Sequence, residues 1–475
     1  MIGFDEAARA TGGRWLAEPA PEAAPLSGGA FDTRNLGTAE IFFALAGEGG
    51  DGHDYLPRLE NSSVRLAVVS REAPLGAWRG AVLLVEDTLA ALAALAGFMA
   101  RKYNPRVVAI TGSYGKTTTK EVVAHVLSGG LRVLKSEGSL NNEIGVPITL
   151  LGLNDSHQVA VLEYSARKPG DIAYLCRIAP PDIAVLLTVG HAHIGVFGSR
   201  EAIYRTKGEI FSAVKPGGLC LAGAHDPRLV ELAGGSRVSS FGRDSGDYRA
   251  AGIHYDEQGR QCFTGINGET TLALQAGMPG PHGCEPVLVA WAVARELGLD
   301  DELVAARGAM HPEQKGRAVL SRTANGAVLI DDCYNASPET VVNLLGILAS
   351  RPEAGKVLVL GPLAELEEGL DQSAAIIAGH LHPPLTRCLV YQPGGGPLGR
   401  RMAELSPGVV PSTVETPEQL LEQLAPLDAP GNVIGIKGAR SAHMERFVAL
   451  LEGRSVKCRK HPCGLLKYCT VCEML

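Results

Sequence analysis

The chain has few aromatic residues and no long apolar run. Aromatics make up 5% of its 475 positions, and no stretch approaches the roughly 18 apolar residues that a membrane-spanning helix needs. The most apolar segment, residues 89–100, is Ala-rich and sets Leu89, Leu92, Leu95, Ala96 and Met99 at helical spacing, the pattern of a buried core helix. Excess positive charge is missing as well. A formal net charge of −7 excludes a protein that coats nucleic acid by neutralising phosphates, and leaves small charged substrates open. The start, Met1-Ile2-Gly3-Phe4-Asp5-Glu6, carries early acids and lacks the apolar core of a secretory leader. Cysteines number ten, yet Cys176, Cys220, Cys262, Cys284, Cys333 and Cys388 stand singly without pair spacing, as reduced structural thiols do. The expectation is a cytoplasmic monomer with no membrane span and no nucleic-acid partner.

What is present is an ordinary globular composition, 45% hydrophobic and 20% charged. At roughly 150 residues per domain the length suggests about three domains. Short apolar runs that end in polar residues recur: Val107-Val108-Ala109-Ile110, Val159-Ala160-Val161-Leu162 and Ile183-Ala184-Val185-Leu186-Leu187, then Ala327-Val328-Leu329-Ile330, Val357-Leu358-Val359-Leu360, Leu389-Val390-Tyr391 and Val433-Ile434-Gly435-Ile436. Such runs, separated by helix-like segments, read as buried parallel strands. The predicted fold class is therefore α/β. Residues 1–104 form an N-terminal domain, 105–310 a central domain with a mostly parallel sheet, and 311–453 a second α/β domain; 454–475 are a basic Cys-rich tail. Turn signals at Gln258-Gly259 and Asn267-Gly268 predict one or two hairpins before a helix over 287–297.

The strongest local signal is Thr111-Gly112-Ser113-Tyr114-Gly115-Lys116-Thr117-Thr118-Thr119-Lys120. It follows an apolar strand and opens a helix. Glycines let successive N–H groups point at one anion, the helix start adds positive potential, Lys116 supplies a mobile cation, and the Thr117 hydroxyl can ligate Mg²⁺. That combination implies a nucleoside triphosphate, although two residues rather than four separate Gly112 from Gly115, so the generic motif is not met as written. A chance Gly-Lys-Thr turn is the bland alternative.

This short loop resembles that of the Mur ligases, the ATP-dependent amide-forming enzymes of peptidoglycan synthesis. Other segments follow in that family's order: Asp32-Thr33-Arg34, Phe43-Ala44-Leu45-Ala46-Gly47-Glu48, Asp51-Gly52-His53-Asp54, Leu140-Asn141-Asn142-Glu143-Ile144-Gly145-Val146-Pro147, Lys207-Gly208-Glu209, Gly316-Arg317, Asp331-Asp332-Cys333-Tyr334-Asn335-Ala336-Ser337-Pro338 and Lys437-Gly438-Ala439-Arg440. The resemblance implies a uridine-nucleotide-binding N-terminal domain, a central domain of phosphate-loop type and a Rossmann-like C-terminal domain. It also implies a ligase working through an acyl phosphate, most similar to the branch that adds D-alanyl-D-alanine to UDP-N-acetylmuramoyl-tripeptide. The partners so implied are a UDP-sugar peptide and a dipeptide or amino acid.

Site roles follow from the same resemblance. ATP would lie on Gly112, Ser113, Tyr114, Gly115, Lys116, Thr117 and Thr118, with Arg317 toward the γ-phosphate, Asp332 toward its partners and Asn335 near the adenine. Lys116, Glu163, His193, Lys207 and Arg317 are the implied catalytic set, and Thr117, Glu163, His193 and Lys207 the implied Mg²⁺ set, Lys207 as a carbamate. Each has a plainer reading: a salt-bridged acid for Glu163, a polar loop residue for His193, a solvated helix face for Lys207. Arg34, Asn141 and Asn142 are candidates for the nucleotide-sugar end or, for the asparagines, turn caps. Lys437 and Arg440 would meet a substrate carboxylate, or form plain ion pairs.

Several positions depart from the family pattern. Glu163 is followed by Tyr164-Ser165 rather than Met-Gly, Tyr114 occupies a place usually small, Pro286 replaces an adenine-reading asparagine, and Gly361-Pro362-Leu363 replaces Gly-Asp-Met. In the tail Cys458, Cys463, Cys469 and Cys472, with His461, offer ligands that could close around Zn²⁺, against a disordered reduced tail. Two further readings stay open: a ligase of the same chemistry with a different acceptor or amine, and a nucleotide-binding scaffold without catalysis.

Overall fold

Alternation decides the sheets. In the strand Gly355–Leu360, Val357 and Val359 pack into one buried cluster with Leu329, Leu389 and Ile434, while Leu358 and Leu360 pack into another with Ile330 and Val390. Successive side chains of a strand point to opposite faces, so a run that is apolar at every position must be covered on both sides, as parallel sheets between helices are. This computed structural model describes residues 1–47, 50–190, 194–309, 315–363, 369–456 and 458. It is α/β throughout, as expected. The chain divides into two units, Met1–Arg249 with Leu288–Arg307, and Ala250–Val287 with Gly308–Leu475.

The first unit holds two sheets. One has five strands in the order Arg14–Ala17, Ala81–Leu84, Leu66–Val69, Ile41–Phe43, Gly29–Ala30, parallel except for the first pair. In the other, the strands Val133–Lys135, Val159–Glu163, Arg106–Thr111, Ile183–Leu186, Leu219–Gly223 and Val238–Gly242 lie side by side and parallel. Arg106–Thr111 is flanked by strands that follow it in sequence on either side, so the chain changes its direction of travel there. Open α/β sheets bind ligands at the carboxyl ends of strands beside such a switch.

The helix Thr88–Tyr103 contains the predicted apolar face and buries Leu92, Leu95, Ala96 and Met99. Asp87 caps its start by accepting from Leu89 N and Ala90 N, and Asn104 in the left-handed region ends it. No helix among the described residues is long and apolar enough to cross a membrane.

The second unit carries a six-stranded sheet in the order Val319–Arg322, Val328–Asp332, Asn432–Lys437, Gly355–Leu360, Arg387–Tyr391, Ser412–Val414, antiparallel only at its first pair. It also holds the antiparallel hairpin of Arg260–Asn267 and Thr270–Pro279, which turns at Gly268 as the Asn-Gly signal predicts. The six single cysteines are free. Burial pushes the thiols of Cys176 and Cys388 up to about 12, which leaves them protonated and inert.

Candidate active site

Thr111 ends its strand and hands the chain to Gly112, at φ +155°, where a Cβ would crowd its neighbours, 3.0 Å from Leu187 Cβ and 3.2 Å from Thr188 N. Gly115, at φ +78°, starts the helix Lys116–Leu127 in the left-handed region that favours glycine. The loop is tied to its neighbours. Ser113 N donates to Thr188 O at 2.8 Å, Gly190 N donates to Ser113 Oγ at 2.9 Å, and Thr111 Oγ1 donates to Tyr164 O at 2.7 Å.

Two lysines converge on this turn. Lys116 Nζ donates to Gly112 O at 2.8 Å and Lys207 Nζ reaches the same oxygen at 3.1 Å. Lys207 projects from the helix Arg200–Ser212 and is 4% exposed, so it is not part of a solvated helix face. Burial first, then the positive charge of Lys116, hold its amine well below the ordinary lysine range. A neutral amine is also the form that can take up carbon dioxide as a carbamate.

This has a thermodynamic consequence. The unfolded chain binds more protons than the folded one between the depressed value and 10.5, so stability rises with pH across that window. In carbon dioxide-free buffer Lys207→Met is expected to melt above the parent at pH 7, with the gap closing as pH approaches 10.5. A gap that does not change with pH would contradict a buried neutral amine.

Glu163 ends its strand in register with Ile110. It is 1% exposed, so it is no surface acid. Asn141 Nδ2 donates to Glu163 Oε1 at 2.7 Å, while Oε2 is buried with no hydrogen-bond partner among the described residues. Leaving a carboxylate oxygen so is costly, and a cation would remove the cost. The residues fit Mg²⁺: the Glu163 carboxylate and the buried Thr117 hydroxyl are hard oxygen donors. Among the described residues no group of three or more His, Cys, Asp or Glu forms a metal cluster. Two such oxygens suit an ion that completes its shell with phosphate and water, as Mg²⁺ does. His193 lies outside the described residues.

Other expected residues have partners within the protein. Asn141, a candidate for the nucleotide-sugar end, holds Glu163, and Asn142 Oδ1 accepts from Gly145 N at 2.9 Å where the helix Gly145–Leu150 begins. Arg34 pairs with Asp32 at 2.8 Å on the surface. In the second unit Lys437, 3% exposed, bonds Asp332 Oδ2 at 2.5 Å, and Arg440 pairs with Glu445 at 2.7 Å. Both are internal ion pairs rather than surface cations. Asp332 Oδ1 also accepts from Ala318 N, the Arg317 guanidinium stacks 4.2 Å from the Tyr334 ring, and Asn335 is exposed. Of the tail ligands only Cys458 is described, with Arg446 Nη2 at 3.6 Å from its sulfur; Cys463, Cys469 and Cys472 lie outside the described residues.

The sequence marks Thr188 and Gly190 only as the polar end of a strand; in the structure the Thr188 hydroxyl accepts from Tyr114 N, and Gly190 explains the unusual Tyr114. A Cβ at 190 would lie 2.4 Å from Tyr114 Cε2, so the glycine makes room for the ring. Gly190→Ala should cost about 1–3 kcal/mol of overpacking. Adding Tyr114→Ala should return most of it, measured as denaturation midpoints. Equal losses in the single and double variants would show that the ring is not the obstacle.

Comparison with known proteins identifies the family. Residues 110–294 match the Mur ligase middle domain and 316–440 the "Mur ligase, glutamate ligase domain". The UDP-N-acetylmuramoyl-tripeptide–D-alanyl-D-alanine ligase of Bacillus subtilis (strain 168) is 32% identical over 91% of this chain and 94% of its own. The protein of that name from Mycobacterium bovis is 36% identical over 71% and 72%. Among solved structures, MurF from Acinetobacter baumannii superposes with a TM-score of 0.85 at 28% identity, covering 95% of this chain and 99% of that one. MurF ligase from Thermotoga maritima in complex with ADP gives 0.78 at 28% identity, covering 90% and 97%. A glycine turn on which two lysines converge beside a buried acid, set in matches that span both ligase domains, places the chain in the Mur ligase family, to which it belongs.

Proposed function

We propose that this chain is the peptidoglycan ligase that joins D-alanyl-D-alanine to UDP-N-acetylmuramoyl-tripeptide at the expense of ATP. The observation that carries the reading is the shared Gly112 carbonyl, which brings Lys116 and Lys207 to one turn, beside a strand tip whose Glu163 Oε2 has no partner among the described residues. Relatives bearing that enzyme's name match over most of this chain. The proposed domain limits remain 1–104, 105–310 and 311–453.

A carboxylate makes an amide only after one oxygen becomes a good leaving group. An oxygen of the tripeptide's terminal carboxylate attacks the γ-phosphorus, the bond to the β–γ bridging oxygen breaks, and ADP leaves an acyl phosphate. The dipeptide amine then attacks the acyl carbon, loses a proton, and inorganic phosphate departs. Negative charge develops at both stages, so fixed cations and N–H donors dominate the work. Lys116 and the loop N–H groups from Gly112 to Thr118 hold the phosphates. Thr117, Glu163 and, by family resemblance, His193 and carbamylated Lys207 would hold Mg²⁺, which supplies charge neutralisation at the phosphates. Arg317 is assigned to the γ-phosphate and Asn335 to the adenine side on the same resemblance.

Phosphate release by the purified protein with ATP and Mg²⁺ should require UDP-N-acetylmuramoyl-tripeptide and D-alanyl-D-alanine together. No stimulation by the pair, with release restored by another amine, would move the assignment to a ligase with a different second substrate. The Tyr164-Ser165 and Pro286 departures motivate that arm. ATP binding without turnover on any amine would leave a non-catalytic scaffold.

A further inference from the structure

Lys120 lies one helical turn beyond Lys116 on the helix Lys116–Leu127. It is fully buried, at 0% exposure, on a helix that also buries Val122, Val123 and Val126. An ammonium survives such burial only when its donors are satisfied, and here they are. Nζ donates to Ser136 O at 2.5 Å and Gly138 O at 2.8 Å, and pairs with Glu121 Oε1 at 2.9 Å. Glu121 is held in turn by Lys135 from the other side.

The two carbonyls belong to the loop that follows the strand Val133–Lys135 and crosses the tip of Val159–Glu163. Three contacts lock loop to tip: Ser136 N donates to Val161 O at 3.2 Å, Ser165 N donates to Asn141 O at 2.8 Å, and Asn141 Nδ2 donates to Glu163 Oε1 at 2.7 Å. A chain of contacts thus runs from the buried ammonium through 136–138 to Asn141 and ends on the carboxylate whose other oxygen lacks a partner among the described residues.

We propose that Lys120 is a positioning residue for the metal site: it fixes the 136–141 loop so that Asn141 orients Glu163, leaving Oε2 turned to the cation. The inference rests on the ligase reading above. It assigns the second lysine of the loop motif a task distinct from the first. Lys116 faces phosphate, and Lys120 sets the acid that faces the metal. Partners that orient a metal ligand from behind commonly change metal affinity when removed, by about 10- to 100-fold.

The test is Mn²⁺ binding, followed by electron paramagnetic resonance in the presence of a non-hydrolysable ATP analogue, so that no turnover is needed. Lys120→Met and Asn141→Ala should each weaken Mn²⁺ binding by about 10- to 100-fold, and the double variant should be no worse than the weaker single, because both break one chain of contacts. Lys135→Met touches Glu121 but not the loop. It should lower the melting temperature and leave Mn²⁺ affinity within about twofold, a margin of roughly 0.4 kcal/mol. Should Lys120→Met fail to fold, Gly138→Val strains the exposed turn at φ +53°, displaces the same carbonyl, and should reproduce the weakening.

Unchanged Mn²⁺ affinity in folded Lys120→Met, or losses that add in the double variant, would overturn the proposal. Absence of Mn²⁺–nucleotide binding by the unaltered chain would overturn the ligase reading first, and this inference with it.

Discussion

Lys116→Met should lower kcat for ATP-driven amide formation by about 10²–10³, the usual loss when one charge-stabilising donor leaves a preorganised site. Methionine keeps the side chain out to its ε-carbon and the start of the helix Lys116–Leu127, so the loop should hold its shape. What is lost is a cation carried on the first helical residue, with its ammonium at Gly112 O and Ser113 O. Such a charge matters more as charge moves onto the departing β-phosphate oxygen, so the fall should appear mainly in kcat rather than in the KM for the dipeptide.

A second readout is specific to this geometry. Lys116 is the second cause, after burial, of the lowered Lys207 value. Its removal should let the Lys207 amine rise toward the ordinary range, shifting any carbon dioxide- or pH-dependent limb of the residual activity to higher pH. A loss of rate with no such shift would mean that the two lysines do not share the turn in solution.

Glu163→Gln is expected to cost a similar factor, about 10²–10³ in kcat/KM at fixed Mg²⁺, or about 3–4 kcal/mol of transition-state stabilisation. Unlike Lys116→Met, it should be partly rescued by raising Mg²⁺. The half-saturating Mg²⁺ concentration should climb by about 10- to 100-fold or more. The amide keeps an oxygen that Asn141 can bond, and removes a buried carboxylate oxygen that has no partner among the described residues. Metal-free Glu163→Gln should therefore melt above the metal-free parent, the trade of stability for function expected where a site holds charge ready for a ligand. A variant less stable than the parent and indifferent to Mg²⁺ would mark Glu163 as a structural acid.

Much of this was legible in the residues because burial on both sides of a parallel strand leaves an apolar run that composition alone reveals. Val107–Ile110 lies within Arg106–Thr111, and Val433–Ile436 within Asn432–Lys437. The phosphate loop was legible for a different reason: its glycines, lysine and hydroxyls must be consecutive, so the whole device is local. Contacts that depend on register were not. Asp332 and Lys437 face each other because two parallel strands pair at that step, 105 residues apart. Read alone, Lys437 leaves a substrate cation and a plain ion pair equally open. Lys120 was hidden similarly, since its acceptors are backbone oxygens 16 and 18 residues away, and a carbonyl leaves no mark in a sequence. The strand Tyr248–Tyr255 begins in one unit and ends in the other, a division that no composition shift announces.

The most direct measurement uses UDP-N-acetylmuramoyl-tripeptide labelled with ¹⁸O in its terminal carboxylate, incubated with ATP, Mg²⁺, D-alanyl-D-alanine and the protein. Phosphorus resonance of the released phosphate then reports the path of the oxygen. Attack of the carboxylate on the γ-phosphorus predicts that each phosphate released carries one oxygen from the peptide, shifting its signal. Unlabelled phosphate accompanying amide formation would contradict the acyl phosphate route and with it the role assigned to the Gly112–Thr118 turn and its neighbours.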